Sequence, residues 1–417
     1  MPDLRISLPL LCDALATAVV AVLTVQALRH WVGDRYLVPS GSMQPLLYGD
    51  PRHGDIVFVD KLATAGARRR HDLVVVSNPS EPGQQLVKRI AASGDDKEAC
   101  WINIDDSGDI WLGSDAQHMS KETKDPLEAR TMRVPWAQWR PGTSAPLLDL
   151  SALRDRAGAA TLPPIEVSAA TARGLFTDDA RQARRREPGG RVLPNGFLGP
   201  AKAVDACYVD VTGARGRTGE DVGVKDVGMD LELDGATNDL LCSIDARHEV
   251  LTFHWRPSTG CVDLWRNGED AERADLPPFP AGVRRIEFGL LDDRAFFIVD
   301  GRRDAMFLVA RSSRWNESEP GAPRSYVHVA VLDQEPMPIR GVRVFHDVFA
   351  YREHTPGLPD QPGAWPRPVE PGTWFLLGDS AFDSRDSRQF GAIAQSSFLG
   401  RPWFVVGPWP RCRWLAP

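Results

Sequence analysis

The sequence predicts a mainly β protein that begins with a transmembrane helix and carries a β-sandwich-like domain inserted into a smaller β core. Three observations predict this fold class. A long apolar run lies near the start, short alternating strand patterns follow it, and strands return after a stretch rich in Pro, Ala and charge. The length of 417 residues suits two or three domains at about 150 residues each.

The apolar run from Leu8 to Leu28 predicts a membrane anchor. It is 21 residues long, and a helix needs about 20 residues to cross a bilayer. Asp13 lies near one end, where a charge can reach the headgroups, and Trp31 and Tyr36 supply interfacial aromatic rings. Arginines flank the run on both sides, so flanking charge leaves its orientation open. A cleaved secretory signal is the alternative, but the length and the polar start favour an uncleaved anchor within residues 1–30.

Short strand patterns follow the anchor. They are "DIVFVDKL" from Asp55, "DLVVVSNP" from Asp72, "QQLVKRI" from Gln84 and "DIWLGSD" from Asp109, separated by turn-rich pieces. We therefore divide the rest of the chain into four parts. The first part of the β core is 31–115, and a linker-like stretch with at most a short helix around Leu148 to Ala159 is 116–201. The β-sandwich-like domain is 202–351, and a Pro-rich connector with the last part of the β core is 352–417.

The sandwich prediction depends on alternation within residues 202–351. In "VGMDLELD", Met229, Leu231 and Leu233 share one face, and acidic residues occupy the other. Strands at this spacing favour two packed sheets. Six prolines between His354 and Gly372 then predict a stiff connector.

Charge and cysteine content exclude several functional classes. The net charge of -7 argues against nucleic acid as the main partner. The basic cluster from Ala180 to Arg191 is predicted to be a solvated loop rather than a phosphate-binding patch. No zinc-ligand spacing or HExxH motif occurs, so we expect no metal or organic cofactor. Cys242 and Cys261 are the candidate pair for a disulfide if the compartment is oxidising.

A candidate nucleophile lies in "LVPSGSMQPLLYGD" at Ser42. A serine hydroxyl needs a nearby base to remove its proton. In "QLVKRI", strand alternation places Lys88 on the same face as Leu86 and Ile90. Burial among apolar neighbours lowers the pKa of a lysine and allows it to act as a base. For one lysine alone, an edge-strand or snorkelling role is the simpler interpretation.

Several motifs together favour the catalytic interpretation. "SGSM", "GDIVFVDKL", "RHDLVVV", "LVKRIAASGDD" and "GDSAFDSRDSRQFG" follow one another behind the predicted anchor. This order resembles the bacterial type I signal peptidases, which remove signal peptides from exported proteins. The resemblance covers Tyr36 to Leu112 and Glu370 to Gly407, a little over a quarter of the chain. It implies a signal-peptidase-like β catalytic core that acts without a cofactor.

The resemblance also implies a role for each residue that matches a motif. Ser42 would be the nucleophile and Lys88 the general base. The N–H of Ser42 and the hydroxyl of Ser40 would form the oxyanion hole, and Ser384 would orient the lysine amine. The supporting residues would be Met43, Gly378, Asp379, Asp386 and Arg388. The family usually has Thr at the position of Leu46 and Asn at that of Ser380, which affects the substrate groove more than the chemistry.

Location and partners follow from the same resemblance. The catalytic domain would face away from the cytoplasm on the bacterial cytoplasmic membrane, with signal-peptide-bearing preproteins and the lipid bilayer as partners. Only 13 residues separate Leu28 from Ser42, and an extended residue spans at most about 3.6 Å. Ser42 would therefore stay near the bilayer surface, where preproteins would be cleaved after small residues of the Ala-x-Ala type.

The insertion leaves other functions open. Its segment "FGLLDDRAFFIVDGR" loosely resembles lectin-like or laminin-G-like jelly rolls. We expect this domain to pack beside the core or to bind an unknown ligand or protein, in preference to sugar. The alternative function is a membrane-anchored binding protein on a signal-peptidase-like core. A self-cleaving repressor-type Ser/Lys peptidase is disfavoured by the anchor and by the last motif.

Overall fold

The protein is mainly β, as the sequence predicts. The computed structural model describes residues 8–63, 65–105, 108–145, 147–150, 153–156, 159–165, 173, 197–200, 202–205, 224–236, 238–246, 249–276, 282–292, 294–309, 325–332, 335–348, 350, 365–380 and 384–415. The basic cluster and the first half of the Pro-rich connector lie outside the described residues.

The described elements are two α-helices and 27 strands. The helices are α1 (Leu8–Trp31) and α2 (Ser387–Phe390). The strands up to residue 162 are β1 (Gly33–Leu37), β2 (Ile56–Asp60), β3 (Leu73–Ser77), β4 (Gln85–Ser93), β5 (Trp101–Ile104), β6 (Ile110–Gly113), β7 (Met119–Lys121), β8 (Arg133–Trp139), β9 (Leu148–Asp149), β10 (Arg154–Arg156) and β11 (Ala159–Leu162).

The later strands follow in chain order. They are β12 (Gly199–Pro200), β13 (Val227–Ala236), β14 (Leu240–Ala246), β15 (Glu249–Arg256), β16 (Cys261–Arg266), β17 (Glu269–Asp275), β18 (Val283–Leu291), β19 (Arg294–Val299), β20 (Met306–Val309), β21 (Ser325–Val331), β22 (Met337–Asp347), β23 (Arg367–Pro368), β24 (Thr373–Leu377), β25 (Ile393–Ala394), β26 (Phe398–Gly407) and β27 (Arg413–Trp414).

The predicted apolar run forms helix α1. Its side chains from Leu15 to Trp31 are exposed. In the part of the chain that the structure describes, no helix combines the length and apolarity that a membrane span requires. The transmembrane assignment therefore stays a prediction.

The chain forms two compact units. The first comprises Met1–Ile104, Trp111–Ser120 and Arg352–Pro417, and we call it the core unit. The second comprises Asp105–Ile110 and Lys121–Tyr351, and we call it the inserted unit. The core unit is thus assembled from three segments that are separated in the sequence by those of the inserted unit.

The main sheet of the core unit contains strands from before and after the inserted unit in the sequence. Its strand order is β1-β2-β26-β3-β4-β24-β25, with β27 paired to β26, and its pairs are antiparallel. Strand β26 lies between β2 and β3, and β24 lies beside β4. Lys88 on β4 is therefore adjacent to a strand almost 300 residues later. A smaller sheet has the order β23-β5-β6-β7.

The inserted unit contains two packed sheets. The larger has the order β10-β11-β22-β13-β18-β19-β20, with β8 on β22, and the smaller has the order β17-β16-β15-β14-β21. The ring of Phe297 on β19 lies 5.4 Å from that of Phe253 and 5.8 Å from that of Trp255, both on β15. These buried contacts join the sheets into the predicted sandwich. Met229 and Leu231, which alternation places on one face of β13, are buried, and so is Asp230 on the other face.

The stretch expected to be linker-like contains strands. Strand β8 pairs with β22, and β9, β10 and β11 replace the short helix expected around Leu148 to Ala159. Pro135 interrupts the strand pattern of β8 and faces Phe345 where the register shifts. Proline lacks the N–H that a regular ladder needs, so such strands are difficult to recognise in a sequence.

The expected disulfide is absent. Cys242 and Cys261 are both free and buried. They lie on β14 and β16, which are separated by β15, where Cys242 faces Phe253 and Cys261 faces Arg256. Two strand spacings and three residues of offset exceed the roughly 7 Å that a disulfide allows between Cα atoms.

Candidate active site

Ser42 lies in a single helical turn, Gly41–Met43. Ser40 and Gln44 flank the turn in extended conformation, and the N–H of Gln44 donates to the carbonyl of Gly41 at 2.9 Å. Met43 is 1% exposed and packs into the hydrophobic core of this unit. Because the following residue is held in the core, the position of Ser42, itself half-buried, is fixed. Ser40 is exposed and its side chain does not cap the turn.

Lys88 is almost completely buried, with 1% of its surface exposed. Its Nζ donates to Ser384 Oγ at 2.9 Å. Burial lowers the pKa of Lys88 to about 8, although the carboxylates of Asp386 and Asp379 act in the opposite direction. Near neutral pH the buried amine is therefore partly uncharged, as a general base must be.

Gly378 connects Ser42 to the lysine site. A Cβ added to Gly378 would lie 2.1 Å from Ser384 Oγ and 2.4 Å from the carbonyl oxygen of Ser42. The N–H of Ser380 donates to the same carbonyl at 3.2 Å. The backbone of Ser42, Gly378 and the Ser384 hydroxyl bonded to Lys88 therefore occupy one site.

A buried ion pair holds the loop that carries Ser384. Asp386 accepts from the N–H of Gly378 at 3.0 Å and from Arg388 Nε at 2.8 Å, and it also caps helix α2. Burial raises the pKa of the Asp386 carboxyl, but the Arg388 guanidinium, Lys88 and the N–H of Gly378 together outweigh this effect, and the net shift is downward. A charged Asp386 thus ties the loop to the strand end before it.

A second buried ion pair involves a residue that sequence analysis missed. Arg89 donates to both carboxylate oxygens of Asp379, at 2.9 and 2.7 Å, and to the carbonyl of His71 at 2.8 Å. Alternation places Arg89 on the face opposite Lys88, and both residues are buried. An arginine inside a strand that is buried on both faces requires an acidic partner. The position of Arg89 within the apolar strand pattern is therefore the feature of the sequence that could have indicated this pair.

Asp55 is another supporting residue that the sequence analysis did not single out. It is fully buried and accepts from Arg411 Nε at 2.7 Å and from Arg413 at 2.8 Å. It also accepts from the N–H of Tyr48, and Arg413 donates to the carbonyl of Leu46. The end of the chain thereby holds the segment that follows Ser42.

The family comparison agrees with this arrangement. The family model described as signal peptidase, peptidase S26, matches residues 11–104 and 342–409. Over these two segments the chain matches the signal peptidase family. A signal peptidase I from Aquifex aeolicus is 30% identical over 92 residues, which are 22% of this chain and 34% of that protein. The chain thus matches about a third of the length of that signal peptidase.

The chain is also similar, at low identity, to several solved structures. The exoplasmic/lumenal domain of VIP36, in a Ca2+/Man3GlcNAc-bound form, is 10% identical, with a TM-score of 0.28, over 52% of this chain and 90% of that domain. A Bacillus licheniformis β-glucanase is 8% identical, with a TM-score of 0.25, over 52% of this chain and 97% of that chain.

Apart from the exposed Ser40, the sequence-predicted residues thus form a connected set in the core unit. Lys88 and Ser384 are in direct contact, Gly378 adjoins Ser384 and the Ser42 backbone, and Asp386 holds the loop. Met43 lies in the core below the serine turn. A buried amine of lowered pKa, bonded to Ser384 beside the backbone of Ser42, is an arrangement that a base for acyl transfer requires.

Proposed function

We propose that the chain is a membrane-bound signal peptidase I that removes signal peptides from exported preproteins by a Ser42/Lys88 dyad. The observation that carries this proposal is the amine of Lys88, buried, bonded to Ser384 and of lowered pKa. A structural lysine at a surface edge would have a solvated amine. The match to the signal peptidase family supports the same reaction class.

The proposed reaction begins with neutral Lys88. Its amine removes the proton of the Ser42 hydroxyl as the serine oxygen attacks the scissile carbonyl. The Ser42 N–H and the Ser40 hydroxyl donate to the oxyanion that forms. Protonated Lys88 then gives its proton to the leaving amine, which departs with the mature protein. Water, deprotonated by the same lysine, hydrolyses the acyl-enzyme and restores the serine.

The positions of the other groups support this cycle. Ser384 accepts a hydrogen bond from Lys88, and this bond fixes the orientation of the amine. The buried pairs around Asp379 and Asp386 hold the two segments that flank Ser384. Fixed orientation of the base contributes to the rate because the reacting groups need no rearrangement.

The substrate and the location are part of the proposal. We infer cleavage after small residues of the Ala-x-Ala type, at the extracytoplasmic surface of the bacterial cytoplasmic membrane. Helix α1 would supply the anchor, and the short connection from α1 to Ser42 would keep the nucleophile near the bilayer. No cofactor is needed for any of these steps.

Cleavage of a preprotein with an Ala-x-Ala site by the purified full chain tests the proposal. The wild type should release the mature protein, and Ser42→Ala and Lys88→Ala should each abolish detectable cleavage. The exposed Lys97→Ala and Ser396→Ala are matched controls and should cleave as the wild type does. No cleavage by a folded wild type would contradict the proposal and favour a binding protein whose working part is the inserted unit.

A further inference from the structure

Four buried aspartates converge at one end of the inserted unit. Strand β13 lies between β22 and β18, and the N–H of Asp347 on β22 donates to the carbonyl of Asp226 at 3.2 Å. The N–H of Asp292, just after β18, donates to Asp226 Oδ2 at 2.7 Å. Three neighbouring strands therefore place three aspartates in a row, and Asp109 joins them.

The oxygens of this cluster have the spacing of cation ligands. One carboxylate oxygen each from Asp109, Asp226 and Asp292 lies within 4.8 Å of the others. Two oxygens that coordinate one Ca2+ at about 2.4 Å are at most about 4.8 Å apart. The three carboxylates can therefore share an ion without a change of backbone.

Lysines neutralise only part of the cluster. Lys124 Nζ bonds Asp292 at 2.8 Å and Asp347 at 2.5 Å, and Lys121 and Lys225 both bond Asp109 at 2.6 Å. Among these described groups, four carboxylates face three ammonium groups. Glu122, which is also buried and raises the pKa of Lys124, brings the acidic groups to five. An excess of negative charge therefore remains, although burial raises the pKa of Asp347 to about 7.

Two oxygen atoms in the cluster provide an independent sign of a ligand. Within the described part of the chain, Oδ1 of Asp226 and Oδ1 of Asp347 are buried and have no hydrogen-bond partner. Asp226 is 8% exposed and Asp347 is 5% exposed. Burial of a carboxylate oxygen without a hydrogen-bond partner or a bound ion costs free energy. Native proteins therefore rarely contain such an oxygen.

A cavity of about 30 Å³ lies between these side chains. It is lined by Asp109, Asp226, Asp292, Asp347, Lys124 and Lys225. One small ion or water needs about 10–15 Å³ by the same measure. A cavity of this size with several carboxylates suits Ca2+, because Mg2+ retains more of its own water shell.

We propose that this cavity binds one Ca2+ ion, with Asp226, Asp292 and Asp109 as ligands and Asp347 completing the site. The ion would neutralise the excess charge at the end of β13 and tie together the ends of three strands. This role is structural, and it is independent of the proposed peptidase reaction.

Calorimetric titration of the full chain, stripped with a chelator and then dialysed, tests the proposal with CaCl2 and, separately, MgCl2. One Ca2+ per chain should bind. Asp226→Asn keeps the side-chain shape and an acceptor for the N–H of Asp292, but it should lower the Ca2+ affinity at least tenfold. Asp304→Asn removes an exposed carboxylate of the same unit and should bind as the wild type does.

Thermal unfolding distinguishes an ion site from a plain ion-pair network. Ca2+ should raise the Tm of the wild type but not that of Asp226→Asn, because a ligand stabilises only the state that binds it. Without Ca2+, Asp226→Asn should be at least as stable as the wild type, since it removes one excess buried charge. Absence of Ca2+ binding to the folded wild type, preference for Mg2+, or an equal loss of Tm in the variant with and without Ca2+ would overturn the proposal.

Discussion

The rate of preprotein cleavage should rise steeply between pH 6 and pH 9. Only neutral Lys88 can take the proton of Ser42, so the rate follows the neutral fraction of this amine. Burial sets the pKa of Lys88 at about 8, below the ordinary lysine value of 10.5. Lowering the pH protonates the base and removes activity while Ser42 and its turn are unchanged.

The size of the effect follows from that pKa. With a pKa of about 8, the neutral fraction is about 1% at pH 6, about 10% at pH 7, about half at pH 8 and about 90% at pH 9. The rate should therefore increase roughly tenfold from pH 7 to pH 9 and level off above that. An ordinary solvated lysine would instead continue to gain activity beyond pH 10.

Single-turnover cleavage measures this dependence without a contribution from product release. The preprotein should lack titrating side chains close to the cleavage site. Lys88→Arg is the matched control, because a guanidinium stays protonated throughout this range and should give a low rate without the rise. A wild-type rate at pH 6 within twofold of that at pH 9 would refute Lys88 as the base.

Three further predictions concern the groups around the dyad. Lys88 has a folded pKa below its unfolded value, so protonated Lys88 destabilises the fold below pH 8, and this cost disappears as the pH approaches 10.5. Lys88→Met should therefore raise the free energy of unfolding in urea by up to about 3 kcal/mol at pH 7, and by much less at pH 10; equal gains at both values would contradict this. Gly378→Ala should lower the cleavage rate about 100-fold, because the added methyl group would displace Ser384 and the backbone of Ser42. Gly66→Ala, which has open space around it, should leave the rate unchanged. Similar rates in the two variants would contradict close packing at Gly378. Arg89→Ala should lower the free energy of unfolding in urea by roughly 3–5 kcal/mol, because it leaves Asp379 buried without its partner. The exposed Arg385→Ala should lower it by less than about 1 kcal/mol. Equal losses in the two variants would contradict a buried ion pair at Arg89.

The sequence was informative where local pattern decides structure. Alternation in "QLVKRI" predicts that Lys88 lies among apolar neighbours, and the lysine is buried on β4. Alternation in "VGMDLELD" likewise predicts the buried face of β13. The motif order placed Ser42, Lys88 and Ser384 in a common site, and the structure puts Ser384 against Lys88.

Ion pairs between residues far apart in the chain could not be predicted from the sequence alone. Arg89 and Asp379 are 290 residues apart, and Asp55 and Arg411 are 356 apart. Charged residues of this kind are usually exposed, and only the folded structure shows that their charges are buried and paired. Strand β8 was missed for a related reason, because its proline interrupts the pattern and its partner β22 follows about 200 residues later.

The aspartate cluster of the inserted unit was missed because its members are scattered along the chain. Asp226, Asp292 and Asp347 each lie at the end of a strand, where an acidic residue usually marks a solvated turn. No short motif unites them with Asp109. Only the strand order β22-β13-β18 brings the three strand ends together.

Covalent trapping of Ser42 tests the central claim most directly. The full chain is treated with an Ala-x-Ala peptide bearing a C-terminal phosphonate ester that reacts with activated serines, and the modified residue is located by mass spectrometry. We predict one adduct on Ser42, formed faster at pH 9 than at pH 7 and absent from Lys88→Ala. An adduct on another serine, or labelling of Ser42 at an undiminished rate in Lys88→Ala, would contradict the Ser42/Lys88 dyad.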